Sequence, residues 1–274
     1  MYGAFKNDGI GLAGCGRMGA PMLRALQRAG FDAKGFDVRS ASDLGIRSTD
    51  LLPLKDFAAS LRVLFTVVRD IPQTDDVLFG GQNLISCAPN LTTVVISSTL
   101  SPRYVRSLRE RVPEHIALLD APMSGAAIAA QDARLSFMLG GAPEDIAQLQ
   151  PLFDAMGKNF HNMGAFGAGM QAKVLNNLLA ASNTAMTRLV LDWADASDID
   201  ETALLSLIHT SSGQNWLASG FNDIEFARDG WHEDNTIGIL TKDVASALDA
   251  APQGADTTLP ETIRQAIFSL TPRR

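Results

Sequence analysis

Lys173, Asn176 and Asn177 set one amine and two amides at positions i, i+3 and i+4, the spacing that shares one face of a helix. An amine there can take and return a proton. Because a free lysine titrates near about pH 10.4, it must first be partly withdrawn from water or set beside another cation. Gly167-Ala168-Gly169 leads into this group. Far upstream stands a second constellation, Gly14-Cys15-Gly16-Arg17-Met18-Gly19, with Asp37 about 20 residues on. In that pattern Gly14 permits a tight turn, Gly16 lets the backbone approach a pyrophosphate, and Gly19 lets helix pack closely on strand. The helix N-terminus adds a favourable dipole. Asp37 can accept hydrogen bonds from an adenosine ribose diol, which favours NAD, since its carboxylate would repel the 2′-phosphate of NADP. Arg39, two residues on, works against that preference. Cys15 is either a small filler of the loop or a thiol whose pKa the helix N-terminus lowers. The two constellations predict an enzyme that takes a cofactor from one domain and an acid/base group from its junction with another. Closure of the cleft between the domains would withdraw the amine from water.

The elements that must position these groups follow from hydrophobic patterning. Residues 9–13, 33–36, 63–68, 94–97, 117–119, 135–139 and 159–163 read as strands. Helical patterns run between them, including 18–29, which Gly30 ends, and 143–156, with Pro143 in its first turn. Strands alternating with helices predict parallel crossovers and an α/β, Rossmann-type doubly wound sheet. After Gly169 the texture changes. Residues 170–196 contain no proline or glycine and repeat apolar positions at helical spacing. Further helical stretches follow at 201–209, 216–227, 236–250 and 261–270, with a loop at 252–258. The expectation is an N-terminal NAD(P)-binding domain, 1–164. After it comes an all-α C-terminal domain for substrate binding and oligomerisation, 165–274, built on a long interdomain helix. Such a helix needs covering by other helices or by a partner subunit's copy.

Composition bounds the function. With 274 residues, 46% hydrophobic and 19% charged, the chain suits a globular protein and neither a disordered nor a membrane one. No run approaches the roughly 18 apolar residues of a spanning helix, and Met1 to Asp8 lacks the regions of a signal peptide, so the expected location is cytoplasmic. A net charge of −7 argues against a nucleic-acid partner. Cys15 and Cys87 are too few for a disulfide framework or a zinc site, and His115, His161, His209 and His232 are dispersed. No metal is expected.

The glycine loop continues as Gly19-Ala20-Pro21-Met22, and this longer string resembles the β-hydroxyacid dehydrogenase family. Three more segments follow in the family's order: Asp120-Ala121-Pro122-Met123-Ser124-Gly125, the stretch from Gly167 to Asn177, and Lys242-Asp243. Ser98-Thr99-Leu100-Ser101-Pro102 is similar to the family's segment beside the nicotinamide, and the resemblance covers nearly the whole chain. It implies an NAD(P)-dependent interconversion of a small β-hydroxyacid with its oxo-acid or semialdehyde. By the same resemblance Ser124, Gly125 and Ala126 form the loop that holds the substrate carboxylate. Lys173 is the general acid/base, with Asn177 as its neighbour and Asn176 beside the substrate. Val38, Val67, Val68, Ser98 and Thr99 join the glycine loop, Asp37 and Arg39 around the coenzyme. Lys242 closes over coenzyme or substrate, Asp243 is structural, and the protein is a homodimer or homotetramer.

Blander readings stand beside these. Ser98 and Thr99 are also placed to cap the helix beginning near Pro102. Lys242-Asp243 also suits a solvated helix face, and Trp216, Phe221 and Trp231 suit a core or an interface. The chain departs from the family where it carries Ala126, Ala129 and Ala133 in place of glycine, Arg134 in place of threonine, and Asn235 in place of phenylalanine. The added methyl groups narrow the pocket or shift its backbone. Two rivals remain open: an imine reductase of the same superfamily, whose members typically lack this lysine, and a non-catalytic cofactor-binding protein.

Overall fold

The computed structural model describes residues 9–273, so the reading of Met1 to Asp8 lies outside the described residues. The chain divides into two compact units, Met1–Lys173 and Val174–Arg274. In the first, five strands run parallel: β1 (Ile10–Ala13), β2 (Ala33–Phe36), β3 (Val63–Thr66), β4 (Thr93–Ile96) and β5 (Ala117–Asp120). Their spatial order is β2-β1-β3-β4-β5. The helices between them are α1 (Gly19–Arg28), α2 (Ala41–Leu44), α3 (Leu54–Ser60), α4 (Ile71–Leu78), α5 (Leu84–Cys87) and α6 (Pro102–Arg111). This is the α/β, Rossmann-type sheet that the alternating pattern predicts.

Strand residues alternate between faces, and here both faces are covered. Phe65 and Val95 join a core with Leu12, Phe137 and Phe153, while Leu64, Val94 and Ile96 join another with Phe57, Leu78 and Leu108. Burial on both sides is why these strands read as continuous apolar runs. The in-register ladder aligns Ala13, Thr66, Ile96 and Asp120 at one edge. From β1 the chain goes outward to β2 and then returns to β3. The carboxyl end of β1 is therefore a topological switch point, where open α/β sheets bind ligands.

Beyond β5 the sheet departs from the all-parallel expectation. The chain passes through β6 (Met123–Ser124) and α7 (Ala126–Gln131) into β7 (Leu135–Gly140), which pairs antiparallel with both β5 and β6. The stretch between Ser124 and Leu135 is shorter than the dozen or so residues a parallel crossover takes. Next, α8 (Pro143–Met156) returns the chain to β8 (Gly157–Gly164), which is parallel to β7.

Helix α9 (Ala168–Ala196) contributes its first residues to this unit and the rest to the second. The second unit, all-helical among its described residues, adds α10 (Glu201–His209), α11 (Trp216–Ser219), α12 (Thr236–Asp249) and α13 (Thr258–Phe268). Side chains of Asp200, Asn215 and Asn235 accept the N–H groups of Ala203, Ala218 and Gly238, capping α10, α11 and α12. Ile237, Leu240 and Val244 pack with Ile263, Ile267 and Ala181 in one cluster. Leu191, Leu205, Leu217 and Phe221 form another. The helix expected at 216–227 stops at Ser219. Gly220 and the turn-forming pair Asn222-Asp223 break it, although Phe221 and Ala227 still enter the core. Among the described residues no helix is long and apolar enough to cross a membrane.

Candidate active site

The glycine loop lies at the switch point. Gly14 donates its N–H to Phe36 O, and Val67 donates to Ala13 O, so the loop is tied to both neighbouring strands. A Cβ on Gly19 would lie 1.8 Å from Gly14 O, and one on Gly14 would lie 2.5 Å from Val67 O. No side chain fits at either place. Around Gly16, among the described residues other than its chain neighbours, such a Cβ would meet Arg39 Nη2 alone within 4 Å, at 3.1 Å, leaving the backbone open for a phosphate to approach. The N-cap of α1, Met18, makes no side-chain cap bond; in the first turn Ala20 donates its N–H to Gly16 O at 3.0 Å and Pro21 has none to donate. These observations fit a dinucleotide pyrophosphate.

Asp37, just past β2, accepts the Cys15 N–H at 2.8 Å. It also holds Arg39 in a two-pronged pair, Nε to Oδ1 and Nη2 to Oδ2, each at 3.0 Å. Although burial of the Asp37 carboxyl works against ionisation, its hydrogen bonds from Arg39 and Cys15 hold its pKa below the ordinary value. Val38 is left 80% exposed beside the pair. The Cys15 thiol is buried and contacts Leu12 O and Phe36 O. Burial first, then the Asp37 charge, push its pKa up to about 12. Cys15 is therefore a filler and not an activated thiol.

Ser98 does not cap α6. Its hydroxyl accepts the Val68 N–H at 3.0 Å and donates to Thr66 O at 3.3 Å, stitching the end of β3 to the end of β4. The cap is Ser101, which accepts from Arg103 and Tyr104. Its pairing with Pro102 at the first helical position is a start signal that the sequence carried.

Ser124 ends β6, opposite Ser136 of β7. Gly125 follows at φ 131°, and Ala126 opens α7 at φ 53°. Ala133 also sits at a positive φ, 52°. Ala126 and Ala133 thus adopt the left-handed backbone that a glycine would favour, at a local cost of about 1–2 kcal/mol each.

Lys173 is buried, at 7% exposure, in the second turn of α9, and Asn176 and Asn177 follow within the same unbroken helix. In the second unit Asn177 Nδ2 donates to Asp243 Oδ2 at 2.6 Å, and Asn176 Nδ2 donates to Asn177 Oδ1 at 3.3 Å. Asp243 is buried, and its other oxygen faces Lys242 Nζ at 3.3 Å. Lys242 and Asp243 are thus joined to Asn177 and do not form a merely solvated face. The amide orientation of Asn177 is fixed from both sides.

One acid that sequence reasoning left without a role is prominent. Asp120, fully buried at the end of β5, accepts the N–H of Gly167 at 2.6 Å through Oδ1 and the N–H of Met170 at 2.5 Å through Oδ2. Burial outweighs these bonds and pushes its carboxyl up to about 6. Its partners lie 47 and 50 residues away, so no local spacing announces them.

A glycine loop at the switch point of a Rossmann-type sheet, followed by a helical unit, defines a dinucleotide-dependent oxidoreductase. Residues 9–164 match the family described as the NAD-binding domain of 6-phosphogluconate dehydrogenase. Residues 167–270 match that described as NAD-binding of NADP-dependent 3-hydroxyisobutyrate dehydrogenase. The chain is 29% identical to an NAD-dependent L-serine dehydrogenase of Pseudomonas aeruginosa, over 95% of this chain and 91% of that protein. To a 3-hydroxyisobutyrate dehydrogenase of the same organism it is 27% identical, with the same coverage. Among solved structures it is similar to a Mycobacterium tuberculosis 3-hydroxyisobutyrate dehydrogenase with L-serine. That match has a TM-score of 0.77 and 25% identity, over 93% of this chain and 91% of that one. The chain belongs to the β-hydroxyacid dehydrogenase family. It is an oxidoreductase that uses a nicotinamide coenzyme and acts on a CH–OH group.

Proposed function

We propose that this enzyme interconverts a small carboxylate-bearing β-hydroxyacid with its oxo-acid or semialdehyde, with Lys173 as general acid/base. The observation that carries this reading is a buried lysine one helical turn before a fixed asparagine amide. Burial disfavours the charged form of an amine, the condition a lysine base needs. When bound, the coenzyme accepts or supplies the hydride. Gly14, Cys15, Gly16, Arg17, Met18 and Gly19 would cradle its pyrophosphate. Asp37, Val38, Arg39, Val67 and Val68 would face the adenosine half, and Ser98, Thr99 and Lys242 would complete its surroundings. Ser124, Gly125 and Ala126, at a strand-to-helix turn whose N–H groups suit an anion, would hold the substrate carboxylate. Asn176 would lie beside the substrate. In oxidation Lys173 Nζ takes the hydroxyl proton, and in reduction it returns it, while Asn177 orients the hydroxyl oxygen. The relatives are named for hydroxyacids, which does not favour the imine-reductase reading, and retention of the lysine speaks against a non-catalytic role.

The test is a panel of β-hydroxyacids, including L-serine and 3-hydroxyisobutyrate, assayed with NAD and NADP. Free acids should turn over and their amides should not. Equal turnover of amide and acid would overturn carboxylate recognition. NAD should be preferred. The Arg39 side chain is 54% exposed and can swing outward into water, while the Asp37 carboxylate, 5% exposed, would exchange the guanidinium for the hydroxyls of a ribose diol. Asp37→Ala should lower kcat/KM for NAD and raise it for NADP. A wild-type preference for NADP would assign control to Arg39.

Helix α9 also supports the homo-oligomer reading. Leu175, Leu179, Met186 and Trp193, each more than half exposed, recur at intervals of four and seven residues and form one apolar stripe. The proposed cover is the same helix of a second copy. Sedimentation should give a dimer or tetramer, with Leu179→Glu/Met186→Glu shifted to the monomer. A monomeric wild type at micromolar concentration would remove this reading.

A further inference from the structure

We infer that Asp120 is the positioning residue that sets Lys173, holding the start of α9 against the strand that leads into the substrate loop. The inference rests on the proposed role of Lys173.

The geometry converges on one carboxylate. Asp120 ends β5, four residues before Ser124, and pairs with Gly140 at the end of β7. Both of its oxygens are taken by backbone N–H groups, those of Gly167 and Met170. Lys173 lies three residues beyond Met170, within one turn of the same helix. A carboxylate at this end of a helix meets unpaired N–H groups and the positive end of the dipole together. The surroundings leave no slack. A Cβ on Gly140 would lie 2.2 Å from Asp120 Oδ1 and 2.9 Å from Gly169 N, and one on Gly169 would lie 2.3 Å from Met138 O. The first turn of α9 therefore rests on bare backbone, and the carboxylate fixes both its height and its rotation. On a helix of 3.6 residues per turn, a small rotation at Met170 carries through to Lys173. An error of about 1 Å at a reacting group can cost about a hundredfold in rate.

Asp120 touches neither hydride nor substrate in this account and acts through Lys173. That separates it from a merely structural residue, because its effect must vanish when the amine is gone. The experiment is a double-mutant cycle on kcat with Asp120→Asn and Lys173→Ala, measured well below each variant's Tm. Asparagine keeps the shape but turns an NH2 toward one of the two N–H donors. Asp120→Asn should lower kcat tenfold to a hundredfold, with coenzyme Kd changed less than twofold. In the Lys173→Ala background the same substitution should change kcat less than twofold. An equal loss in both backgrounds, or no loss in either, would overturn the inference. Near-wild-type turnover by Lys173→Ala alone would instead remove the lysine reading. If Asp120→Asn does not fold, Asp120→Glu, which keeps the charge and pushes the helix out by one methylene, carries the same cycle with the same criteria.

Discussion

Lys173→Ala should lower kcat by roughly 10²–10⁴-fold, the contribution of a well-placed acid/base group, while leaving coenzyme affinity nearly unchanged. The side chain is buried, so alanine removes packing as well as the amine. Lys173→Met separates the two effects, because it keeps the length and apolar stem and loses only the proton carrier. If the chemistry resides on the amine, the two variants should be about equally slow and methionine the more stable. Lys173→Arg should not rescue, since a guanidinium stays protonated and its planar fork cannot occupy the place of an ammonium. Steady-state kcat on a substrate found in the hydroxyacid panel, together with coenzyme Kd by titration, measures both halves. Turnover within threefold of wild type by Lys173→Met would transfer the acid/base role to another group.

The elements that the sequence discloses are those whose signal is local. The glycine spacing from Gly14 to Gly19, the apolar run before it and Asp37 after it lie within one strand–helix–strand unit, and the chain folds there as the spacing predicts. The uninterrupted stretch from 170 to 196 likewise becomes one helix, α9. The antiparallel return through β6 and β7 escaped because periodicity reports strands and not their direction. Direction follows here from the shortness of the connection, which α7 disguises. The 216–227 stretch misled for a related reason. Phe221 and Ala227 keep an apolar rhythm that fits a helix, yet Gly220 ends the helix and tertiary packing alone keeps them buried. Among polar residues, Asp37 was legible by its place in a motif. Asp120 was visible in the string leading to Ser124, but its bonds to Gly167 and Met170 exist only once sheet and helix meet. Asp243 was read as structural, and its partner, Asn177, lies 66 residues away.

Arg188 shows how far a long-range role can hide in an ordinary helical pattern, and its replacement should have the largest effect on stability. Its side chain is almost fully buried in the second unit, in the C-terminal half of α9. Nη1 donates to Ala227 O at 2.9 Å and to Asp229 O at 2.8 Å, and Nη2 donates to Thr271 O at 2.5 Å. One guanidinium therefore anchors the irregular segment after α11 and the tail after α13. Burial pushes its pKa down, the charges of Asp192 and Asp229 work against that shift, and three carbonyl oxygens take its N–H groups directly. Arg188→Met keeps most of the packing volume and leaves three carbonyls without their donors, at about 1–3 kcal/mol for each that water cannot reach. The expected loss is about 3–5 kcal/mol, a large share of the 5–15 or so that holds a typical domain together. Arg273 provides the contrast. It bonds Asp192 and Asp195, whose side chains are 61% and 58% exposed, as well as Glu201. The Arg273 side chain is only 7% exposed, but water reaches the two aspartates it would leave behind, so Arg273→Met should cost less than Arg188→Met. Urea unfolding monitored by circular dichroism measures both, with Arg188→Lys expected between wild type and methionine. An Arg188→Met midpoint equal to the wild-type value would show that the guanidinium fills space without anchoring these carbonyls.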